Sequence, residues 1–94
     1  MDIFEITLSS KAISQLKKLP AAIQFKLQMW IESVKMDGLR EVRKIPGFHD
    51  EPLQGKRKGQ RSIRLSRAYR AMYIIHDSGE IEFVEVLEVN KHEY

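Results

Sequence analysis

Three strand candidates follow one another between Gln60 and Val89, and their apolar patterning constrains the fold more than any other feature of the chain. In Gln60–Ser66, Ile63 and Leu65 point one way while Ser62, Arg64 and Ser66 point the other. Tyr69–His76 carries apolar residues on both faces, as a central strand does, and Ile81–Val89 follows it across the turn sequence Asp77-Ser78-Gly79-Glu80. Such a sheet needs a second layer, and the N-terminal half supplies it. Ile3–Leu8 reads as a short first strand, after which Ser9 and Ser10 offer a capping hydroxyl to a helix with Ala12, Ile13, Leu16 and Leu19 on one face. Pro20 suits the first turn of a second helix, whose stripe is Ile23, Leu27, Trp30, Ile31 and Val34. Gly38 is placed to end that helix in the left-handed conformation. From Leu39 to Lys58 the pattern is irregular: Leu39, Val42 and Ile45 suit a turn of helix or a strand, and Pro46-Gly47, Pro52 and Gly55 break whatever forms. The expected order is β-α-α-β-β-β, an α+β fold in which a helical hairpin packs on one face of a mostly antiparallel four-stranded sheet. The other face is left for a ligand. Residues 1–94 read as a single domain.

What that ligand is follows from charge. Ten of the sixteen Lys and Arg residues lie between Arg40 and Arg70 beside only three acids, whereas residues 77–94 hold six acids and one lysine. Cations gathered on one stretch are the footprint of a polyanion-binding surface, and the commonest cellular polyanion is nucleic acid. The chain has no cysteine, which excludes a disulfide framework, a thiolate metal site and a cysteine nucleophile. No apolar run is long enough to span a bilayer, and the N-terminal residues lack the layout of a signal peptide, so a cytoplasmic protein away from membranes is expected.

Within the basic stretch Arg64 projects from the face opposite the apolar pair. Arg70 is the one charge in the central strand, costly to bury unless paired, and is best placed where a phosphate meets it. Arg61 and Arg67 crowd the same region, and like charges brought together favour an anion. Lys56, Arg57 and Lys58 form a basic loop that by itself reads as a solvated turn. His49, His76 and His92 are too scattered to form a metal site by spacing, and no metal or cofactor is expected. The closing His92-Glu93-Tyr94 matters only if the sheet edge brings it beside Arg70. Metal-free RNA cleavage would use such a set: a base takes the 2′-OH proton, the oxygen attacks phosphorus, cations stabilise the added charge, and an acid protonates the leaving 5′ oxygen. The arginines would serve the charge, and His92, Glu51 or Tyr94 the protons, with Tyr94 also able to stack on a base.

Gly59-Gln60-Arg61-Ser62-Ile63-Arg64-Leu65 followed by Tyr69-Arg70-Ala71-Met72-Tyr73 resembles the central strands of RelE/HigB-type toxins of bacterial toxin–antitoxin modules. Glu51-Pro52-Leu53-Gln54-Gly55 upstream, Val89-Asn90-Lys91-His92-Glu93-Tyr94 downstream and the helical hairpin fit the same pattern, so the resemblance spans nearly the whole chain. It implies a microbial-RNase-like α+β fold and, usually, metal-independent cleavage of mRNA in the ribosomal A site. It further implies a cognate antitoxin as partner, with DNA reached only through the antitoxin complex. By position, Arg70 matches the arginine that holds the scissile phosphate and Arg64 a basic residue assisting it. His92 and Tyr94 fall where these toxins place a C-terminal histidine or aromatic, and Glu51 matches a glutamate that is the base in some members. The loop Lys56–Arg61, with Arg67, would grip RNA. Two departures stand out. Ser62 replaces a lysine found in many relatives, a cation that is missing or supplied by Arg61 or Lys58, and the chain ends at Tyr94 where several relatives continue into a helix.

Two other readings remain open from the sequence. One is a ParE-like toxin on the same scaffold that acts on DNA gyrase, which would have no need of the Ser62-Ile63-Arg64 strand or the terminal His and Tyr. The other is a non-catalytic RNA-binding module whose basic sheet face only positions phosphates.

Overall fold

The computed structural model describes residues 2–77 and 82–91. Its elements run β1 (Ile6–Leu8), α1 (Ser10–Leu16), α2 (Ala21–Asp37), α3 (Leu39–Val42), a 3-10 turn at Pro46–Phe48, β2 (Glu51–Pro52), a second 3-10 turn at Gly55–Arg57, β3 (Gln60–Arg64), β4 (Tyr69–Asp77) and β5 (Glu82–Lys91). The α+β class and the helix-on-sheet layering are as expected, but the sheet has five strands in the order β1-β5-β4-β3-β2. The strand count of four misses β2, two residues ending in proline. Pro52 is tolerated there because β2 is an edge strand, where a missing N–H costs no ladder bond. β4 is central, β1 pairs parallel with β5, and the other pairings are antiparallel. The turn expected at residues 77–80 lies largely outside the described residues.

Hydrophobic spacing explains the helix layer. Ile23, Leu27, Trp30, Ile31 and Val34 of α2 are all buried, and Trp30 packs on Tyr73 of β4 with ring centroids 5.2 Å apart. Burial of an indole and a phenol ring together makes this pair a principal helix–sheet contact. Ile63, Ala71, Tyr73, Val84, Val86 and Val89 complete the core from β3, β4 and β5. Gly38 ends α2 with φ +87° and ψ 152°, an extended turn and not the left-handed helical cap that was expected. The chain takes this path because the Asp2 carboxylate occupies the space where a Cβ would sit and accepts the Arg40 N–H at 2.8 Å, holding α3 in place.

The first strand is shorter than Ile3–Leu8 at its N-terminal end, where Ile3 is buried in the core and its carbonyl accepts the Leu39 N–H at 2.8 Å, and beyond Leu8 α1 takes over the edge of β5. Ser9 caps α1 by accepting the Ala12 N–H, and its hydroxyl donates to the Leu87 carbonyl at 2.7 Å. Leu87 is the extra residue at a bulge, since Met72 pairs with Glu88 while Tyr73 pairs with Val86. Two residues on, the Val89 N–H donates to the Gln15 side chain. Side chains of α1 thus satisfy the backbone of β5 where β1 has ended.

Candidate active site

Register places the two key arginines together. Arg64 of β3 is the direct partner of Arg70 of β4, which in turn opposes Asn90 of β5. Directly opposed residues present their side chains to the same side of the sheet, with Cβ atoms about 5 Å apart. Ile63 and Ala71, the adjoining pair, face the helices instead and are buried. Two guanidiniums therefore stand side by side on the face the helices do not cover. Neither has an ion-pair partner among the described residues. The Arg70 Nε is buried and makes no hydrogen bond there, a deficit that costs about 1–3 kcal/mol unless an anion meets it.

Both arginines line a surface cavity of about 100 Å³, together with Arg67, Glu51, Ser62 and Tyr69. Its rim includes the β3–β4 turn, where the Ser66 hydroxyl accepts the Ala68 and Tyr69 N–H groups at 3.2 Å and fixes the loop carrying Arg67. Glu51 enters because β2 pairs with β3: Glu51 opposes Ser62, one row from Arg64 on the same face. His49 is a further lining residue. Its spacing from the other histidines carried no signal, and only the pairing of β2, invisible as a two-residue strand, brings it here.

The remaining cations expected to hold RNA lie elsewhere. Lys56, Arg57 and Lys58 sit in and after the second 3-10 turn, at the Gln60 end of β3, and do not line the cavity. Arg57 is engaged: its guanidinium pairs with Glu88 and donates to Gln60 at 2.9 Å. Glu88 also pairs with Lys11 of α1. The Lys11 hydrogen bond pulls the Glu88 carboxyl below its ordinary value, partly opposed by burial, and Arg57 adds to the lowering. Nor does Arg61 supply the cation that Ser62 lacks. Strand alternation turns it to the side of Ile63, where its Nε donates to Asp50 at 2.6 Å. The Asp50 side chain is fully buried and also accepts the Tyr73 hydroxyl at 2.5 Å. Burial first, and then Asp50, push the titration of Tyr73 far upward, so the phenol remains the donor. Asp50 therefore acts as a peg: it anchors the segment to the core side while its two neighbours, His49 and Glu51, line the cavity.

Of the residues expected at the site, Arg64, Arg67, Arg70 and Glu51 come together. His92 and Tyr94 lie outside the described residues. Among the described residues no group of three or more His, Asp or Glu side chains is arranged to hold a metal ion, and no helix is long and apolar enough to cross a membrane.

The architecture has known counterparts. A YoeB/ParE toxin from Agrobacterium tumefaciens superposes with a TM-score of 0.69 at 20% identity, covering 95% of this chain and 99% of that one. YafQ from E. coli strain BL21(DE3) gives 0.70 at 17% identity over 94% and 92%. A chain of the RelBE2 toxin–antitoxin complex from Mycobacterium tuberculosis gives 0.60 at 22% over 96% and 99%. No protein-family model matches the chain, and no curated protein is significantly similar to it in sequence. The fold is shared with these solved toxin structures over nearly the full length of each chain.

Proposed function

We propose that the protein is the toxin of a type II toxin–antitoxin module, neutralised by a cognate antitoxin, and that it is an endoribonuclease cleaving mRNA on the ribosome without a metal. The observation that carries this reading is the Arg64–Arg70 pair facing one cavity with the Arg70 Nε buried and unbonded. A guanidinium held in that state is organised for an anion before the anion arrives. The scissile phosphate sits between the two guanidiniums, which meet the charge that grows on its oxygens as the 2′ oxygen attacks. Glu51 lies one row away and takes the 2′-OH proton. Products are a 2′,3′-cyclic phosphate and a 5′-hydroxyl, with no water consumed. Arg67 adds phosphate affinity at the rim. His92 and Tyr94 remain proposed contributors to stacking or proton transfer, and Lys56 and Lys58 to outlying contacts with ribosomal RNA. The cytoplasm, where ribosomes are, is the proposed location.

The test is to express the protein from a tightly controlled promoter and map the 5′ ends of cellular mRNA. Cuts in phase with codons that vanish in Arg70→Ala support the reading. Growth arrest with intact mRNA and DNA damage would move the target to gyrase, and absence of both effects would leave a binding module.

A further inference from the structure

We propose that His49 is the general acid of the cleavage reaction, delivering a proton to the departing 5′ oxygen. The inference deepens the proposed endoribonuclease reading and rests on it. A leaving alkoxide needs a donor that holds a proton near neutral pH, which the guanidiniums do not give up and a carboxylate does not hold. Among the described residues lining the cavity, His49 is the side chain of the type that titrates between pH 5 and 8.

Its position is built, not incidental. The β2–β3 ladder opposes Glu51 to Ser62, and His49, two residues before β2, lines the same cavity as Arg64, Arg70 and Glu51. That shared cavity sets the imidazole beside a phosphate held by the arginines. The backbone of His49 is left-handed, φ +50° and ψ 48°, the only positive φ at a non-glycine among the described residues. Such a conformation is uncommon outside glycine and persists only where the surroundings enforce it. Both neighbours enforce it here: Phe48 is buried in the core, and Asp50 is pegged to Arg61 and Tyr73. Two inward anchors on either side of one residue leave the imidazole facing the cavity.

The same cavity holds the groups the reaction needs beside it: Arg64, Arg67 and Arg70 for the phosphate, and Glu51 for the attacking hydroxyl. In the step itself Glu51 removes the 2′-OH proton, the O2′–P bond forms, the P–O5′ bond breaks, and the His49 proton goes to O5′.

The test compares two mRNAs on programmed ribosomes in single turnover: one with the natural 5′ oxygen at the mapped cut site, one with a bridging 5′ sulfur there. A thiolate leaves without a proton. His49→Gly is the main variant because glycine takes the left-handed backbone freely, and His49→Asn is the second; thermal melting checks that both fold. On the natural mRNA both variants fall about 100-fold or more below wild type, and the decline of the wild-type rate with rising pH flattens. On the sulfur-bridged mRNA both come within about threefold of wild type, whereas Arg70→Ala remains slow on both. Equal loss on the two substrates, or no loss on the natural one, would overturn the acid role and leave the endoribonuclease reading standing. A wild-type protein inert on both mRNAs would remove the endoribonuclease reading and this inference with it.

Discussion

At the Gln60 end of β3, Arg57 and Arg61 are each held by a largely buried carboxylate, Glu88 and Asp50, whereas at the Arg64 end two guanidiniums share a cavity and neither is ion-paired among the described residues. These two regions lie within the same basic stretch of sequence. In the first, positive charge works as mortar: Glu88 ties the loop before β3 to α1 through Arg57 and Lys11, and Asp50 ties the segment before β2 to β3 and β4. In the second, positive charge is left over, and the buried Arg70 Nε has no hydrogen-bond partner among the described residues. Counting cations therefore does not separate those that hold the fold together from those left without a carboxylate partner.

The contrast breaks most visibly at Arg70. Arg70→Ala should lower ribosome-dependent cleavage about 10³-fold and Lys58→Ala by threefold or less, since transition-state charge is met only at the reacting phosphate. Single-turnover cleavage of one mRNA by both variants measures the ratio, and similar losses in the two would erase the distinction. Next in size is Asp50→Ala. It leaves the Arg61 charge half-buried and the Tyr73 hydroxyl without its acceptor, at a cost of about 3 kcal/mol in urea unfolding. Activity should fall further than stability explains, because His49 and Glu51 lose their common anchor.

The same network predicts an alkaline limb. Tyr73 titrates higher folded than unfolded, so its contribution is complete below the ordinary tyrosine value of about 10 and is lost as pH rises toward the folded one. Thermal melts between pH 7 and 11 should show this loss in the wild type and less of it in Tyr73→Phe. Glu88 has the opposite sign. Its lowered value means a contribution present above about pH 4.3, lost as acid protonates the folded carboxyl. With Lys11 largely and Arg57 partly solvent-exposed, Glu88→Gln should cost about 1 kcal/mol or less at pH 7, and the difference from wild type should shrink as acid protonates the folded carboxyl. The smallest effect belongs to Met36, 80% exposed on α2, where Met36→Ser should change stability by less than about 0.5 kcal/mol.

Periodicity alone determined much of this molecule. The stripe from Ile23 to Val34, the alternation in residues 60–66 and the two-sided apolar strand after it specify which elements form and which faces are buried, because burial of apolar surface acts on local spacing. Alternation also put Arg64 on the uncovered face. It carried the signal for Arg61 as well, whose place beside Ile63 follows from the same rule. What the sequence did not contain was the pairing across strands. Whether Arg70 meets Arg64, a carboxylate or nothing depends on register, and the two-residue β2 that brings His49 and Glu51 to the cavity has no pattern of its own. Neutralisation of Arg57 by Glu88, 31 residues away, is likewise a matter of distance in space. Charge interactions act through space, and hydrophobic spacing acts along the chain. The first are settled by the tertiary structure, the second by the residues in order.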